Sequence, residues 1–180
     1  MTTTFRKSLK TSERTLARLP LLSIARTFFP TAVRIRKTAK SIDQEGADYL
    51  VTLADGTVVG IDFKLRGFDP RIQGKDDLAV EIWSSVEHRI TGYTAPKTDF
   101  IVWLYPKTGR AALVPFRPFR RRVAAKREIM IRALEQRIQA TRGKAGNVFH
   151  SQHCYAPTWL FSDLLQESRF QPTCPFEKSA

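Results

Sequence analysis

The chain has 180 residues, of which 42% are hydrophobic, and a net charge of +13. This length and apolar content fit one folded domain with a core and exclude a disordered polyelectrolyte. No apolar run approaches the roughly 18 residues that a membrane-spanning helix requires, so we expect no membrane partner. The two cysteines are too few for a disulfide framework, so we expect a location in a reducing cytoplasm.

The charge is distributed unevenly along the chain. Residues 1–40 carry ten Lys or Arg and one acid, and residues 117–144 carry ten Lys or Arg and two acids. Residues 41–116, between them, carry eight bases and eleven acids. Basic flanks around an acidic centre are typical of a chain whose flanks bind a polyanion and whose centre binds a divalent metal. The alternative is a solvated basic surface that keeps the protein soluble.

The first forty residues predict helices followed by a strand. A helix is expected to begin at Glu13 and to be kinked or divided by Pro20. The basic composition of this segment overlaps with that of organellar transit peptides, but a helix that belongs to the fold is the preferred interpretation. Residues 32–36 alternate apolar and basic side chains, as a half-exposed strand does, and we expect Arg34 and Arg36 to contact nucleic acid.

The middle of the chain predicts a sheet. Asp55-Gly56 is a strong turn signal and joins residues 47–53 to residues 58–64 in a hairpin. Further alternating or apolar runs predict three more strands, at residues 78–83, 100–105 and 111–116. A helical pattern follows from Arg120 to Thr141, with basic residues distributed around its apolar stripe.

These elements predict an α/β or α+β fold with a central mixed sheet of about five to six strands flanked by helices. Residues 1–150 are expected to form one domain with a basic N-terminal helix and a basic helix at 117–144. Residues 151–180 are expected to form a C-terminal extension that includes a short helix between Ala156 and Leu165. Further basic residues expected to hold a nucleic-acid backbone are Lys97, Arg120, Arg121, Arg122, Lys126, Arg132 and Arg137.

The hairpin carries the side chains with the most specific chemistry. Its first strand bears Asp48, and its second bears Asp62 and Lys64 in the pattern Asp-x-Lys. Because successive side chains of a strand point to opposite faces, Asp62 and Lys64 should share one face. Two acids and a lysine at one sheet edge are what a metal-dependent phosphodiester hydrolase needs. The alternative is a surface hairpin whose charged side chains are merely solvated.

The element order and the residues Asp48 and Asp62-x-Lys64 together resemble the PD-(D/E)xK nuclease superfamily. That superfamily includes restriction enzymes, Holliday-junction resolvases and phage or plasmid nucleases, and the resemblance covers roughly residues 10–140. The chain departs from the common pattern in having Ala47 in place of proline and an aspartate in place of the commoner glutamate. The resemblance implies a restriction-endonuclease-like core and a Mg²⁺- or Mn²⁺-dependent endonuclease acting on DNA, including branched or single-stranded DNA.

The same resemblance implies a role for each acidic residue. Asp48, Asp62 and Glu81 would bind the metal, while Lys64 would position the attacking water or stabilise charge on the phosphate. Glu81 lies on the strand predicted next in the chain, and Glu13 on the first helix would be a further acidic residue of the site. Because cutting both strands of a duplex often requires two active sites, a homodimer is a further expectation.

Two other functions stay open on the sequence alone. One is a catalytically inactive nucleic-acid-binding accessory protein that uses the basic flanks, and the other is a protein-binding regulator or inhibitor. A zinc site is a weaker alternative, because the spacing of its candidate ligands matches no usual paired pattern. Those candidates are His150, His153, Cys154 and Cys174.

Overall fold

The computed structural model describes residues 14–38, 47–92, 98–142 and 148–171. The helices are a short segment at residues 14–18, α1 (Leu21–Phe28), α2 (Phe116–Ala133) and the 3-10 helices Pro70–Gln73 and Thr158–Phe161. The strands are β1 (Ala32–Lys37), β2 (Tyr49–Leu53), β3 (Val58–Leu65), β4 (Asp77–Ser85), β5 (Ile90–Thr91), β6 (Phe100–Tyr105), β7 (Arg110–Pro115), β8 (Gln136–Arg142), β9 (Val148–Pro157) and β10 (Gln166–Arg169).

The strands form two sheets. The larger has six strands in the order β1-β2-β3-β6-β7-β10, and within the described strands its one parallel pairing is β3 with β6. The smaller is an antiparallel sheet of four strands in the order β5-β4-β9-β8. The expected α+β fold with a central mixed sheet and flanking helices is confirmed.

A hydrophobic core lies on each face of the larger sheet. Ile61 and Phe63 of β3 belong to one core, with Ile24 of α1 and apolar residues of the segment before it. Trp103 of β6 belongs to the other core, with Phe119 of α2 and buried residues of β4 and β9. This division follows the alternation of side chains along β3 and β6. Asp62 and Lys64, which alternate with Ile61 and Phe63, therefore lie on the face opposite α1.

The predicted interruption of the N-terminal helix is confirmed. The helical segment at residues 14–18 ends before Pro20, which is the N-cap of α1. A proline in a helix interior would remove a backbone hydrogen bond and collide with the preceding turn, whereas a proline at a helix start does neither. Glu13, expected to begin the first helix, lies outside the described residues.

The predictions of a helix from Arg120 to Thr141 and of a basic helix at 117–144 are wrong for the described residues after Ala133. α2 ends at Ala133, and Leu134 already has an extended backbone with φ −108° and ψ 152°. The chain then forms β8, which pairs along its whole length with β9. Ile138, which the helical stripe predicted to be buried, is 61% exposed. Backbone pairing with β9 prevails over the helical periodicity of these residues.

Residues 151–171 are not an appendage to the rest of the described fold. The expected boundary at residues 150/151 falls inside β9, a strand with partners on both sides, and β10 completes one edge of the larger sheet. In place of the helix predicted between Ala156 and Leu165, the 3-10 helix Thr158–Phe161 buries Phe161 in a core. None of the helices in the described ranges is long and apolar enough to cross a membrane.

Candidate active site

The pairing of β2 with β3 places the predicted acids together. Tyr49 pairs with Ile61, and continuing this antiparallel register by one residue sets Asp48 opposite Asp62. Directly opposed residues of antiparallel strands have side chains on the same face, and so do residues two apart on one strand. Asp48, Asp62 and Lys64 therefore lie on one face of the larger sheet, as the sequence predicted.

The backbone around Asp48 is held by a residue that follows β1. Thr38 donates its N–H to the Asp48 carbonyl at 2.9 Å, and its hydroxyl donates to the carbonyls of Ala47 at 2.7 Å and Asp48 at 3.1 Å. Ala47 itself is fully buried. These contacts fix the entry of the chain into β2 and with it the position of the first acid.

Asp62 is buried, with only 8% of its surface exposed, and its two carboxylate oxygens differ in their surroundings. Oδ2 lies 2.7 Å from Lys64 Nζ. Oδ1 is inaccessible to solvent and accepts no hydrogen bond from the described part of the chain. A buried carboxylate oxygen without a donor costs at least about 1–3 kcal/mol. Such an oxygen is suited to bind a cation.

Glu81 comes from the second sheet. The sequence interpretation placed it on a strand neighbouring the hairpin, which is wrong, because the neighbours of β3 are β2 and β6. The Glu81 carboxyl nevertheless lies within the electric field of the hairpin charges. Its pKa is raised above the usual value, chiefly by burial; Lys64 and Arg66 oppose this shift and Asp62 adds to it. The two sheets thus bring Glu81 to the site without pairing its strand to the hairpin.

Gly92 sets how closely the chain after β5 approaches Glu81. The Gly92 N–H donates to the Ile82 carbonyl at 3.0 Å, and a Cβ at Gly92 would lie 2.3 Å from the Glu81 carbonyl oxygen. It would also lie 2.9 Å from Cγ of Glu81. Only glycine fits beside Glu81 without displacing it. The β4–β9 register also shifts between Glu81 and Trp83, which is the kind of bulge that re-aims a side chain.

His153 is a site residue that the sequence analysis did not assign to this position. It pairs with Glu81 across β4 and β9, with Nε2 3.9 Å from Glu81 Oε1. Its pKa is lowered to about 4, first by burial and then by the positive charges of Arg66, Lys64 and Arg137. The imidazole is therefore neutral at pH 7. Nothing local in the sequence indicates this role, because it depends on the pairing of two strands some seventy residues apart.

Arg66 is the second residue that was missed. It follows Lys64 by two positions, and its N–H donates to the Leu104 carbonyl at 2.8 Å. Its charge acts on both Glu81 and His153. The signal was available in the sequence, because the alternation that groups Asp62 with Lys64 extends to residue 66.

The donors present are compatible with a magnesium ion, although they do not form a complete cage. Among the described residues, no three His, Cys, Asp or Glu side chains are grouped so that they could hold a metal ion. Mg²⁺, however, is commonly bound through one or two carboxylates, with waters and substrate phosphate as the other ligands. The partnerless Oδ1 of Asp62 and the opposed Asp48 offer the hard oxygen ligands that this ion prefers. The chemistry of the donor set therefore fits.

Two of the predicted basic residues share the face of the acids. β1 pairs Arg36 with Leu50, and Leu50 pairs in turn with Gly60. Arg34 lies two residues from Arg36, so both arginines are on the Asp62 face, and both are exposed. Neighbouring strands are about 4.8 Å apart, which places the arginines about 10 Å across the sheet from β3.

The remaining basic residues divide into separate groups. Arg122 forms an ion pair with Asp163 and donates to the Leu160 carbonyl, so it holds α2 to the C-terminal region. Arg137 lies on β8 rather than on a helix and acts electrostatically on His153. Lys97 lies outside the described residues. Among the predicted residues, Arg120, Arg121, Lys126 and Arg132 are exposed on α2, where Arg117 is exposed as well.

The zinc alternative finds no support within the described chain. The His150 ring contacts the Glu87 carboxylate, while Cys154 is fully buried and points away from His153, its neighbour on β9. Burial raises the pKa of the Cys154 thiol to about 11, which disfavours the thiolate that zinc binds. Cys174 lies outside the described residues.

Comparisons with protein-family models, curated proteins and solved structures found no match to this chain. Its functional assignment therefore depends on the residues of the site and on the sequence motif.

Proposed function

We propose that this protein is a metal-dependent endonuclease that hydrolyses DNA phosphodiester bonds. The observation that carries the proposal is the register of β2 and β3, in which Tyr49 pairs with Ile61. Extending this pairing by one residue sets Asp48, which immediately precedes β2, opposite Asp62 on the face that Lys64 shares. The buried Oδ1 of Asp62 supports the proposal, because this oxygen accepts no hydrogen bond from the described residues and a bound cation would compensate its charge. The resemblance of these residues to the PD-(D/E)xK motif supports the same reaction.

In this proposal the chain's own residues perform distinct tasks. Asp48 and Asp62 would hold the metal, and Glu81 would add negative charge near it from the second sheet. Magnesium or manganese supplies a Lewis acid and lowers the pKa of a bound water. Water oxygen attacks phosphorus, the P–O bond to the leaving sugar breaks, and the leaving oxygen takes up a proton. Lys64, 2.7 Å from Asp62, is placed to stabilise the charge that develops on the phosphate.

The basic surfaces indicate how the substrate is held. Arg34 and Arg36 lie on the acid-bearing face and would neutralise phosphates next to the one that is cut. The exposed basic residues of α2 and β8 extend the positive surface, and DNA is the polyanion proposed. A homodimer, needed if both strands of a duplex are cut, and a cytoplasmic location are parts of the same proposal.

A second candidate is a nucleic-acid-binding accessory protein without catalysis. The observation that favours it is the short contact between Lys64 Nζ and Asp62 Oδ2, which neutralises the acid that would bind metal. In that case DNA binding falls steeply with salt and does not depend on divalent metal. A protein-binding regulator that uses the same surface would instead retain a partner after nuclease treatment.

Cleavage of defined DNA substrates separates these functions. We expect the wild-type protein to cut plasmid, linear, branched or single-stranded DNA in the presence of Mg²⁺ or Mn²⁺ but not in EDTA. Asp62→Ala should bind the same DNA and leave it intact. If wild type and Asp62→Ala act identically on every substrate, the endonuclease proposal is wrong and the binding function replaces it.

A further inference from the structure

Arg66 has a buried guanidinium nitrogen that the described part of the chain leaves without a partner. Its Nε is inaccessible to solvent and donates no hydrogen bond, and its Nη2 reaches the Ala79 carbonyl only at 3.4 Å. Buried polar side-chain atoms are normally satisfied, and a charged donor is the costliest to leave unpaired. A bound acceptor would remove this deficit.

Other arginines of the fold have carboxylate partners, and Arg127, whose Nε is also buried and partnerless among the described residues, lies over the Trp83 ring with its Cζ 4.7 Å from the ring centroid. Arg110 binds Asp69 at 2.8 Å, and Arg71 binds Asp76 at 2.6 Å. Within the described ranges, Arg66 has no carboxylate within 4.0 Å, although its charge acts on Glu81. The guanidinium therefore lies beside the acids of the site without being neutralised by direct contact with one of them.

The backbone fixes Arg66 in register with the active residues. Its N–H bond to the Leu104 carbonyl continues the parallel pairing of β3 with β6 by one residue. Alternation then places Asp62, Lys64 and Arg66 in one row on the same face. In such a row the acid, the lysine and the arginine are each two residues apart, or roughly 6.6 Å along the strand.

We propose that Arg66 binds the phosphate that is cut, with its guanidinium group donating to a non-bridging phosphoryl oxygen. The inference rests on the proposed nuclease function and adds a catalytic residue to it. A guanidinium presents N–H donors in a planar fork that matches phosphate oxygens, which the ammonium group of Lys64 cannot do. The phosphate supplies a counter-charge to a guanidinium that has no carboxylate partner among the described residues, and the developing negative charge strengthens the contact.

The direct test is an NMR titration that does not depend on cleavage. The ¹H–¹⁵N correlation of Arg66 Nε is assigned by its absence in Arg66→Lys. The probe is 5′-phosphorylated trithymidylate, which is added in two separate titrations, one without metal and one with Ca²⁺. We expect the Arg66 Nε–H signal to shift on addition of the probe, while that of Arg169, exposed on the edge strand β10, stays in place. An unchanged Arg66 signal in both conditions overturns the inference, even if the protein cuts DNA.

Kinetics supply the second arm. Arg66→Lys should melt close to wild type and lower the single-turnover cleavage rate at saturating DNA by about 10²-fold, as loss of one preorganised donor does. A phosphorothioate at the mapped cleavage position should slow wild type more than it slows Arg66→Lys, because the variant has already lost the contact. Arg169→Lys is the matched control and should behave as wild type.

The outcomes distinguish this inference from the proposed function. If the wild-type protein fails to cut DNA but the Arg66 signal shifts, the nuclease function is wrong and the phosphate contact stands. If Arg66→Lys cuts at the wild-type rate with an unchanged phosphorothioate effect, Arg66 is only a structural link between β3 and β4.

Discussion

At the scale of the residue, the site is recognisable by the polar atoms that the fold leaves unsatisfied. Three buried side-chain atoms of the described residues have no hydrogen-bond partner. Asp62 Oδ1 and Arg66 Nε belong to the same face of β3, while the third, Arg127 Nε, lies on α2, where the guanidinium covers the Trp83 ring. In natural proteins, buried polar atoms without hydrogen-bond partners are expected mainly at functional or strained sites. The two atoms on the β3 face have opposite chemistry, since one is a hydrogen-bond acceptor and the other a donor, and the proposed reaction would use the first to bind a cation and the arginine to bind an anion.

His153 should make the stability of the protein sensitive to acid. Its pKa in the folded protein is about 4, against 6.5 for an unperturbed histidine, so between these values the unfolded state binds more protons. Stability is therefore lost as the pH falls from 6.5 to 4. At about 1.36 kcal/mol per pKa unit, the loss amounts to up to about 3 kcal/mol.

The measurement is urea unfolding at pH 7 and pH 4.5 in EDTA. We expect His153→Gln to reduce the difference in unfolding free energy between the two pH values by about 2–3 kcal/mol. The control is His88→Gln, because His88 is exposed on the turn between β4 and β5. If the unfolding free energy of wild type, His153→Gln and His88→Gln falls equally between pH 7 and pH 4.5, His153 is not held neutral by burial.

The sequence predicted which residues share a face only where the alternation of side chains along a strand determines it. Asp48, Asp62 and Lys64 share a face because a hairpin has a two-residue period and one register, both readable locally. Arg66 obeyed the same period and was overlooked. His153 could not be predicted, since its place beside Glu81 requires the pairing of β4 with β9, a contact between distant parts of the chain.

At the scale of the element, β4 positions Glu81 through a bulge and a glycine contact. Gly92→Ala places a methyl group 2.3 Å from the Glu81 carbonyl oxygen, which β4 can relieve only by moving. We expect a loss of about 1–3 kcal/mol in unfolding free energy, as overpacking of a fixed backbone causes. Cleavage should fall as well, because Glu81 is displaced.

Gly67→Ala is the matched control for this change. A Cβ at Gly67 would meet no atom within 4 Å, so its effect on stability should stay within about 1 kcal/mol. Thermal melting and cleavage assays on the two variants check the prediction. If Gly92→Ala melts and cuts like Gly67→Ala, the close contact with Glu81 does not position that residue.

The elements themselves were predictable where one periodicity dominated. The hairpin of β2 and β3, the strands β6 and β7 and the break at Pro20 all follow from local patterns and are confirmed. The prediction of a helix after Ala133 was wrong, because the apolar residues of that segment fit a helical stripe and a strand equally well. These residues form the strand β8 because β9 is available to pair with them.

At the scale of the whole molecule, a buried ion network joins the C-terminal strand to the rest of the fold. Arg110 of β7 donates to Asp69 from both Nε and Nη2, at 3.0 and 2.8 Å, and from Nη1 to Glu167 of β10 at 2.9 Å. Thr108 also donates to Asp69 at 2.7 Å. Arg110 and Asp69 are almost completely buried, so each depends on the other for charge compensation.

Removing the Asp69 charge should therefore destabilise the whole fold. We expect Asp69→Asn to lower the unfolding free energy by about 3–5 kcal/mol, because buried Arg110 loses the carboxylate that accepts two of its hydrogen bonds and keeps only the partly exposed Glu167 as a counter-charge. Asp163→Asn, which removes a solvent-exposed partner of Arg122, should cost at most about 1 kcal/mol. Equal losses in urea unfolding of the two variants would contradict this account of the network.

The central claim is that the acids of the β2–β3 hairpin form a metal-dependent site for phosphodiester hydrolysis. Its most direct test is the single-turnover cleavage rate of a labelled DNA in Mg²⁺, compared among wild type, Asp62→Asn and Asp55→Asn. Asp55 lies exposed in the turn of the same hairpin, where asparagine before glycine is equally favourable. We predict a loss of at least about 100-fold for Asp62→Asn and none for Asp55→Asn. Equal cleavage by all three proteins, or none by wild type with any divalent metal, would contradict the claim.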